Sequence, residues 1–334
     1  MRSFTRVLRG VALAAACVAP SVLAPTARAA DKLKFIADWT AEAEHGCFYQ
    51  AKAAGIYAAH GLDVDILPGG PQVNGPQMLA TGAVDVAIIS SAMQAISFTK
   101  SRIPIVTVAA IMQKNEQILV AHQSAGYHAL ADMKGHPVMI SAFARDSYWP
   151  WLEGKYGFTD DMIRPYTFNI APFLHDKAAI QQGYVTSEPF AAMQAGAHPQ
   201  VFLLSDDGYA DYGSLLGVRR AWASDHPDMV QRFIDASIQG CYAFLDGDPA
   251  KAFALIKRDN PDMTDGQMKY TRDTLKQYGI LDSGDARTLG IGAMTDARWK
   301  AIWDLMVQTK ISQPGEDYRA AYVTSFVDKK VGMH

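Results

Sequence analysis

The sequence predicts an α/β protein of two interleaved lobes with a ligand cleft between them, and three observations carry that prediction. Short apolar runs of strand length alternate with segments of helical period along most of the chain. The alternation opens with a strand–helix–strand unit whose first strand ends on Asp38-Trp39. Ligands of open α/β sheets sit outside the carboxyl ends of strands, so this tryptophan stands where a bound molecule would be. Finally, even without its leader the chain is longer than the roughly 250–300 residues at which one hydrophobic core stops growing.

The leader is read first so that it can be set aside. Arg2, Arg6 and Arg9 make a basic start, 11–19 an apolar core, and Ala27-Arg28-Ala29 a small-x-small site ahead of Ala30. This is the pattern of a cleavable signal peptide over 1–29. Its apolar stretch is broken by Pro20 and falls short of the roughly 20 residues that span a bilayer. Cys17 follows three alanines, which leaves lipidation open beside that site. Removing 1–29 takes four arginines and no acid, leaving 305 residues with 27 basic and 34 acidic side chains, a net charge of −7. Such a balance excludes nucleic acid as a partner. Cys47 and Cys241 are too few for a disulfide-stapled scaffold and wrongly spaced for zinc. They either pair in an oxidising compartment or stay buried thiols, and buried thiols are the preferred reading.

The elements follow in order. A strand is expected at 33–37, a helix at 46–59 that stops before Gly61, and a strand at 62–67. Pro68-Gly69-Gly70-Pro71 breaks the chain, and a helix at 72–81 ends at Gly82. A buried strand at 85–89 leads into Ser90-Ser91, which can cap a helix running to about 100. A strand at 103–111 closes the first set, and the alternation implies a parallel sheet covered on both faces. A second set begins at 117–121, with strands at 138–141, 184–186 and 201–204 and helices at 147–156 and 189–195. A strand at 213–220 then leads into helices near 225–245, 249–258, 264–278 and 295–308, a tail expected to pack on the first lobe. The lobes are accordingly divided as 30–118 and 216–334 for the first and 119–215 for the second.

Several runs resemble a known family. His45-Gly46-Cys47-Phe48-Tyr49, Gly55-Ile56-Tyr57 and Gly61-Leu62-Asp63-Val64-Asp65 are similar to periplasmic solute-binding proteins of ABC importers. The nearest branch is the one shared with the thiamine pyrimidine precursor synthase of yeasts, beside the nitrate, sulfonate and taurine binders. Gly82-Ala83-Val84-Asp85, Leu130-Ala131-Asp132-Met133-Lys134-Gly135 and Ser187-Glu188-Pro189-Phe190 stand where such proteins carry related motifs. The resemblance implies a periplasmic-binding-protein-like fold, hinge closure on a small molecule, a periplasmic location, and an ABC permease and ATPase as partners. It implies a monomer that needs no cofactor.

Candidate cleft residues come from the strand ends. Trp39 can stack on a flat ring, Asp38 can accept ring or amino N–H groups, and His45 precedes a helix and can hydrogen-bond a ligand. Ser90 and Ser91 open a helix whose positive end favours an anion or carbonyl oxygen, with capping as their other use. Met93 can line the same wall as a soft surface or serve the core. In the second lobe Tyr148 and Trp149 can close over a ligand opposite Trp39, and Arg145 either grips an anion or pairs with Asp146. Tyr209 lies in a loop that lines the cleft or turns in solvent. Glu188 is placed by Pro189 in the first turn of a helix, and in the pyrimidine-binding relatives an acid in a similar Glu-Pro motif contacts the heterocycle. These residues favour a small planar heterocycle, such as a thiamine pyrimidine precursor or nucleobase-like compound. An alkanesulfonate, taurine or nitrate held by Arg145 and Ser90-Ser91 is the alternative. Chemistry is not expected. The cysteine cluster of the yeast synthase has no counterpart in Tyr212-Gly213-Ser214-Leu215-Leu216-Gly217, and no nucleophile elbow, zincin helix, P-loop or dinucleotide fingerprint is present.

Overall fold

A computed structural model describes residues 29–333. Apart from its last position, the leader expected over 1–29 lies outside the described residues, and Cys17 with it. Two five-stranded sheets form the frame. The first holds β1 (Asp31–Ile36), β2 (Leu62–Leu67), β3 (Val86–Ser91), β4 (Ile105–Met112) and, from late in the chain, β10 (Gly213–Arg219), in the order β2-β1-β3-β10-β4. The second holds β5 (Gln117–His122), β6 (Val138–Ile140), β7 (Ile163–Pro165), β8 (Ile180–Tyr184) and β9 (Pro199–Leu203), in the order β7-β6-β8-β5-β9. Burial follows position. The edge strand β2 alternates, with Asp63 and Asp65 outward, whereas every residue of β4 and β5 is buried, which is why those segments read as unbroken apolar runs.

The expected all-parallel sheets are mixed instead. β10 runs antiparallel to both β3 and β4, and β5 antiparallel to both β8 and β9. The reason is the route of the chain. β4 ends at the boundary between the lobes, 113–116 cross it, and β5 must then start at that boundary and run away from it; β9, 204–212 and β10 repeat the manoeuvre in reverse. Alternation of strands and helices predicts parallel neighbours only where a helix carries the chain back.

Other boundaries also moved. The helix expected at 46–59 breaks at Gly55, whose φ is +71°, into Gly46–Ala53 and Ile56–Ala59. The helix expected at 147–156 is Trp149–Tyr156, preceded by a separate short helix, Ala142–Asp146, and the strand expected at 184–186 is β8, ending at Tyr184. The tail lies against the first sheet: the amide of Ala110 in β4 donates to Gly292 O, that of Val323 to Thr107 O, and Trp299 stacks on Tyr322 at 4.4 Å. Helix Asp265–Gln277 also reaches the second lobe, where the Tyr270 and Thr271 hydroxyls donate to the carbonyls of Val185 and Thr186.

The preferred reading of Cys47 and Cys241 as thiols is corrected: they form a disulfide. It joins helix Gly46–Ala53 to the 20-residue helix Pro227–Asp246. Gly240 explains the close approach, because a Cβ there would lie 2.4 Å from Cys47 O. Cysteine spacing carried no sign of this, since the pair is brought together by helix packing alone.

Candidate functional site

A cavity of about 410 Å³ lies between the two sheets. Its walls are strand ends: Asp38 and Trp39 after β1, Ser90 at the end of β3, Met112 at the end of β4, Gln117 at the start of β5, Ser141 after β6, Gln182 and Tyr184 in β8, and Gly213 and Ser214 at the start of β10. The crossing of the chain thus brings carboxyl ends of the parallel strands and amino ends of the two reversed strands to one place.

The cleft is roofed by rings. Trp39 of the first lobe meets Phe168 of the second at 5.6 Å between centroids, and Phe168 meets Tyr166 at 5.3 Å. Trp39 is held from below by the breaker loop, where the Gly69 amide donates to Trp39 O at 2.8 Å. A Cβ on Gly69 would come within 2.4 Å of Ala37 O and 2.8 Å of Trp39 N. Backbone cannot yield as a flexible side chain can, so Gly69→Ala is expected to cost about 1–3 kcal/mol. Unchanged thermal unfolding of that variant would refute the tight packing under Trp39.

The interior is acidic. Asp38, Glu42, Glu44, Glu116 and Glu188 all line it with His45, and among the described residues no lysine or arginine does. Asp38 accepts from the Ser90 hydroxyl at 2.7 Å and faces His45 Nε2 at 3.3 Å. Burial works to raise its pKa, but His45 and Ser90 outweigh it and hold the carboxyl below its ordinary value. Burial raises the other four. Glu44 stands well above the carboxylate range, pushed further by the neighbouring acids. Glu116 is raised to about 8, against the pull of the Thr186 hydroxyl that donates to it at 2.5 Å. Glu42 is raised although His45, Thr40 and Trp39 pull it back. Glu188 is raised although the Tyr184 amide donates to it at 2.7 Å and the Tyr166 hydroxyl at 3.0 Å.

Such a cluster makes stability depend on pH. Glu116 has an ordinary pKa of 4.5 and a folded value of about 8. As pH rises from 4.5 the unfolded chain releases this proton first, so the folded state binds more protons and stability falls until about pH 8. Glu42, Glu44 and Glu188 act in the same direction; Asp38, whose value is lowered, acts only in strong acid. The thermal stability of the empty protein should therefore decline between pH 5 and pH 8, and Glu116→Gln should flatten that decline. An identical decline in the variant would refute it.

The residues expected from sequence divide in two. Asp38, Trp39, His45, Ser90 and Glu188 line the cavity. Ser91, Met93, Arg145, Tyr148, Trp149 and Tyr209 do not. Ser91 caps helix Ala92–Lys100 by accepting the Gln94 amide. Met93 lies 3 % exposed in the core, its sulfur accepting from the Tyr209 hydroxyl. Tyr148 and Trp149 are buried inside the second lobe, Tyr148 against Tyr209 and Trp149 against Phe158. The ring that meets Trp39 is Phe168 instead. Arg145 is half exposed and pairs with Asp160, not Asp146. Tyr148 and Trp149 sit at the start of helix Trp149–Tyr156, whose first turn packs into the second lobe rather than facing the cleft.

Sequence reasoning missed Glu42, Glu44, Glu116, Tyr166, Phe168 and Tyr184 as cavity residues. Glu116 left a trace: Asn115-Glu116 is a polar pair between the two fully buried strands β4 and β5, a costly place for a carboxyl without a use.

Comparison with known proteins agrees with this geometry. The riboflavin-binding protein RibY of Chloroflexus aurantiacus is 22 % identical over 296 residues, covering 84 % of this chain and 81 % of that protein. The alkanesulfonate-binding protein SsuA of Xanthomonas axonopodis pv. citri, solved bound to MOPS, superposes with a TM-score of 0.64 at 12 % identity, covering 90 % of this chain and 100 % of the other. The desulfurization enzyme DSZB superposes with a TM-score of 0.56 at 14 % identity, covering 89 % and 97 %. At such identities the two solved structures share the fold, two α/β lobes of the periplasmic-binding-protein kind. Residues 42–252, more than half of the chain, match the family described as NMT1/THI5 like, and the chain belongs to that family.

Proposed function

We propose that this protein is the solute-binding component of an ABC importer. Exported to the periplasm by its leader, it captures a small flat heterocycle bearing N–H donors or a positive charge and presents it to a permease and its ATPase. The observation that carries the reading is the lining of the cavity: five carboxylic acids, an aromatic roof of Trp39 and Phe168 and, among the described residues, no lysine or arginine. An anion entering this space would meet Asp38 and its neighbouring acids with no lysine or arginine among the described lining residues to hold it, at a cost that rises as the dielectric falls. An aminopyrimidine or flavin ring offers what the acids lack, and the touching rings of Trp39 and Phe168 offer an aromatic surface for it to pack against. RibY, named for riboflavin, supports a flat ring; SsuA, named for alkanesulfonates, supports the alternative only through the shared fold. Binding needs the two lobes to close, because Trp39 and Phe168 belong to different lobes and their contact exists only when they meet. No turnover is part of this reading.

Calorimetric titration at pH 7 separates the candidates. 4-Amino-5-hydroxymethyl-2-methylpyrimidine and riboflavin serve as flat probes, and taurine, ethanesulfonate and nitrate as anionic ones. At least one flat probe should bind, and Trp39→Ala should weaken it roughly tenfold, as loss of about 1.5 kcal/mol of stacking implies. Binding of sulfonates alone, unchanged in Trp39→Ala, would sink the reading.

A further inference from the structure

A second cavity, also of about 410 Å³, adjoins the first. The two share Asp38 and Ser90 as a common wall. The second is otherwise formed by the loop 71–74, the start of helix Gly75–Thr81, Ile88 and Gln94. The shared wall is fixed by hydrogen bonds: the Ser90 hydroxyl donates to Asp38, the Ser90 amide donates to Gln94 Oε1 at 3.1 Å, and the Gly69 amide, just before the loop, donates to Trp39 O.

The chemistry of the two chambers differs. The first offers rings and acids. The second offers the side-chain amides of Gln72, Asn74 and Gln94, with Asp38 its one ionisable group and no lysine or arginine among the described residues. Gln94 Oε1 and Asn74 Oδ1 already accept from the Ser90 and Gln77 amides, while the N–H donors of the side-chain amides stay free. The Ser90 oxygen, its proton given to Asp38, can still accept, so the chamber suits neutral groups such as hydroxyls that both accept and donate. A phosphate, carboxylate or sulfonate would find no counter-charge and would face Asp38.

We infer that the two cavities form one site with two compartments, and that the solute is a flat ring carrying a short, neutral, hydroxylated chain that passes over the Asp38–Ser90 pair into the amide-lined chamber. This rests on the proposed function and narrows it: the ring class is set by the first chamber and the tail by the second. It also gives Ser90 a role beyond holding Asp38, since its hydroxyl stands at the junction.

Three flavin probes test it on the full mature chain by fluorescence titration. Lumichrome has the ring without a chain, riboflavin adds a neutral polyol, and flavin mononucleotide ends the same polyol in a phosphate. Riboflavin should bind at least tenfold more tightly than lumichrome, and flavin mononucleotide more weakly than riboflavin. Val73, 40 % exposed at the rim of the second chamber, has room for bulk. Val73→Trp should lower riboflavin affinity to the level of lumichrome and leave lumichrome unchanged, which also shows that the variant is folded. Equal affinity for lumichrome and riboflavin, tighter binding of the phosphorylated probe, or equal effects of Val73→Trp on both rings would overturn the inference while the heterocycle reading stands. The same holds if no flavin binds but a bare aminopyrimidine does. If no ring binds and taurine does, the proposed function itself fails.

Discussion

Replacing Cys47 and Cys241 together by alanine is expected to lower stability by about 5 kcal/mol. The bond closes a loop of sequence separation 194, and in the chain-entropy account a longer loop restricts the unfolded chain more, reaching about 5 kcal/mol at this length. For a chain of this size each kcal/mol moves the unfolding temperature by about 2 °C, so a drop of roughly 10 °C is expected. The same drop should follow when the native protein is unfolded under reducing conditions. The bond clips helix Gly46–Ala53, which begins directly after His45, so its loss should also loosen the wall that holds His45 against Asp38. Equal unfolding temperatures with and without reductant would show that the clip contributes nothing.

The second large effect is expected at Glu188. Its carboxylate accepts from the Tyr184 amide and the Tyr166 hydroxyl, so it fixes β8 and the roof residue next to Phe168 in one step. Glu188→Leu leaves both donors unpaired, at about 1–3 kcal/mol each. Unfolding at pH 5, well below the value of about 8 to which Glu116 is raised, reads this without the charge of that neighbour. Affinity for a flat amino-bearing probe should fall roughly 10- to 100-fold, as loss of a charge-assisted hydrogen bond worth about 1.5–3 kcal/mol implies. Glu188→Gln keeps an acceptor oxygen for Tyr184 and should retain stability while still binding more weakly, because one of its two acceptor oxygens becomes an N–H donor. Wild-type affinity in both variants would remove Glu188 from the site.

Much of the frame was legible before any coordinates, and the reason is periodicity. Strand β2 was read at its true limits because its outward Asp63 and Asp65 alternate with buried Leu62, Val64 and Ile66. Asp38, Trp39, Ser90 and Glu188 were found because each stands just beyond or at the end of a readable strand. Strand direction was not legible for β5 and β10, since an apolar run looks alike in either sense. Residues on crossings and long loops escaped for a related cause. Glu116 lies on a crossing and Phe168 on the loop after β7, at a positive φ of 58°, and neither carries a repeat that reveals which way it faces. Tyr148 and Trp149 were misdirected because they sit at the start of helix Trp149–Tyr156, whose first turn packs into the second lobe rather than facing the cleft.

The account turns on an acid-lined, ring-roofed chamber that accepts flat donors and rejects anions. Native mass spectrometry of the protein purified without added solute tests this most directly, because a tightly held molecule travels with its receptor. The expected finding is a flat nitrogen heterocycle, neutral or cationic, retained by the wild type and lost from Trp39→Ala. An alkanesulfonate retained equally by both proteins would contradict it.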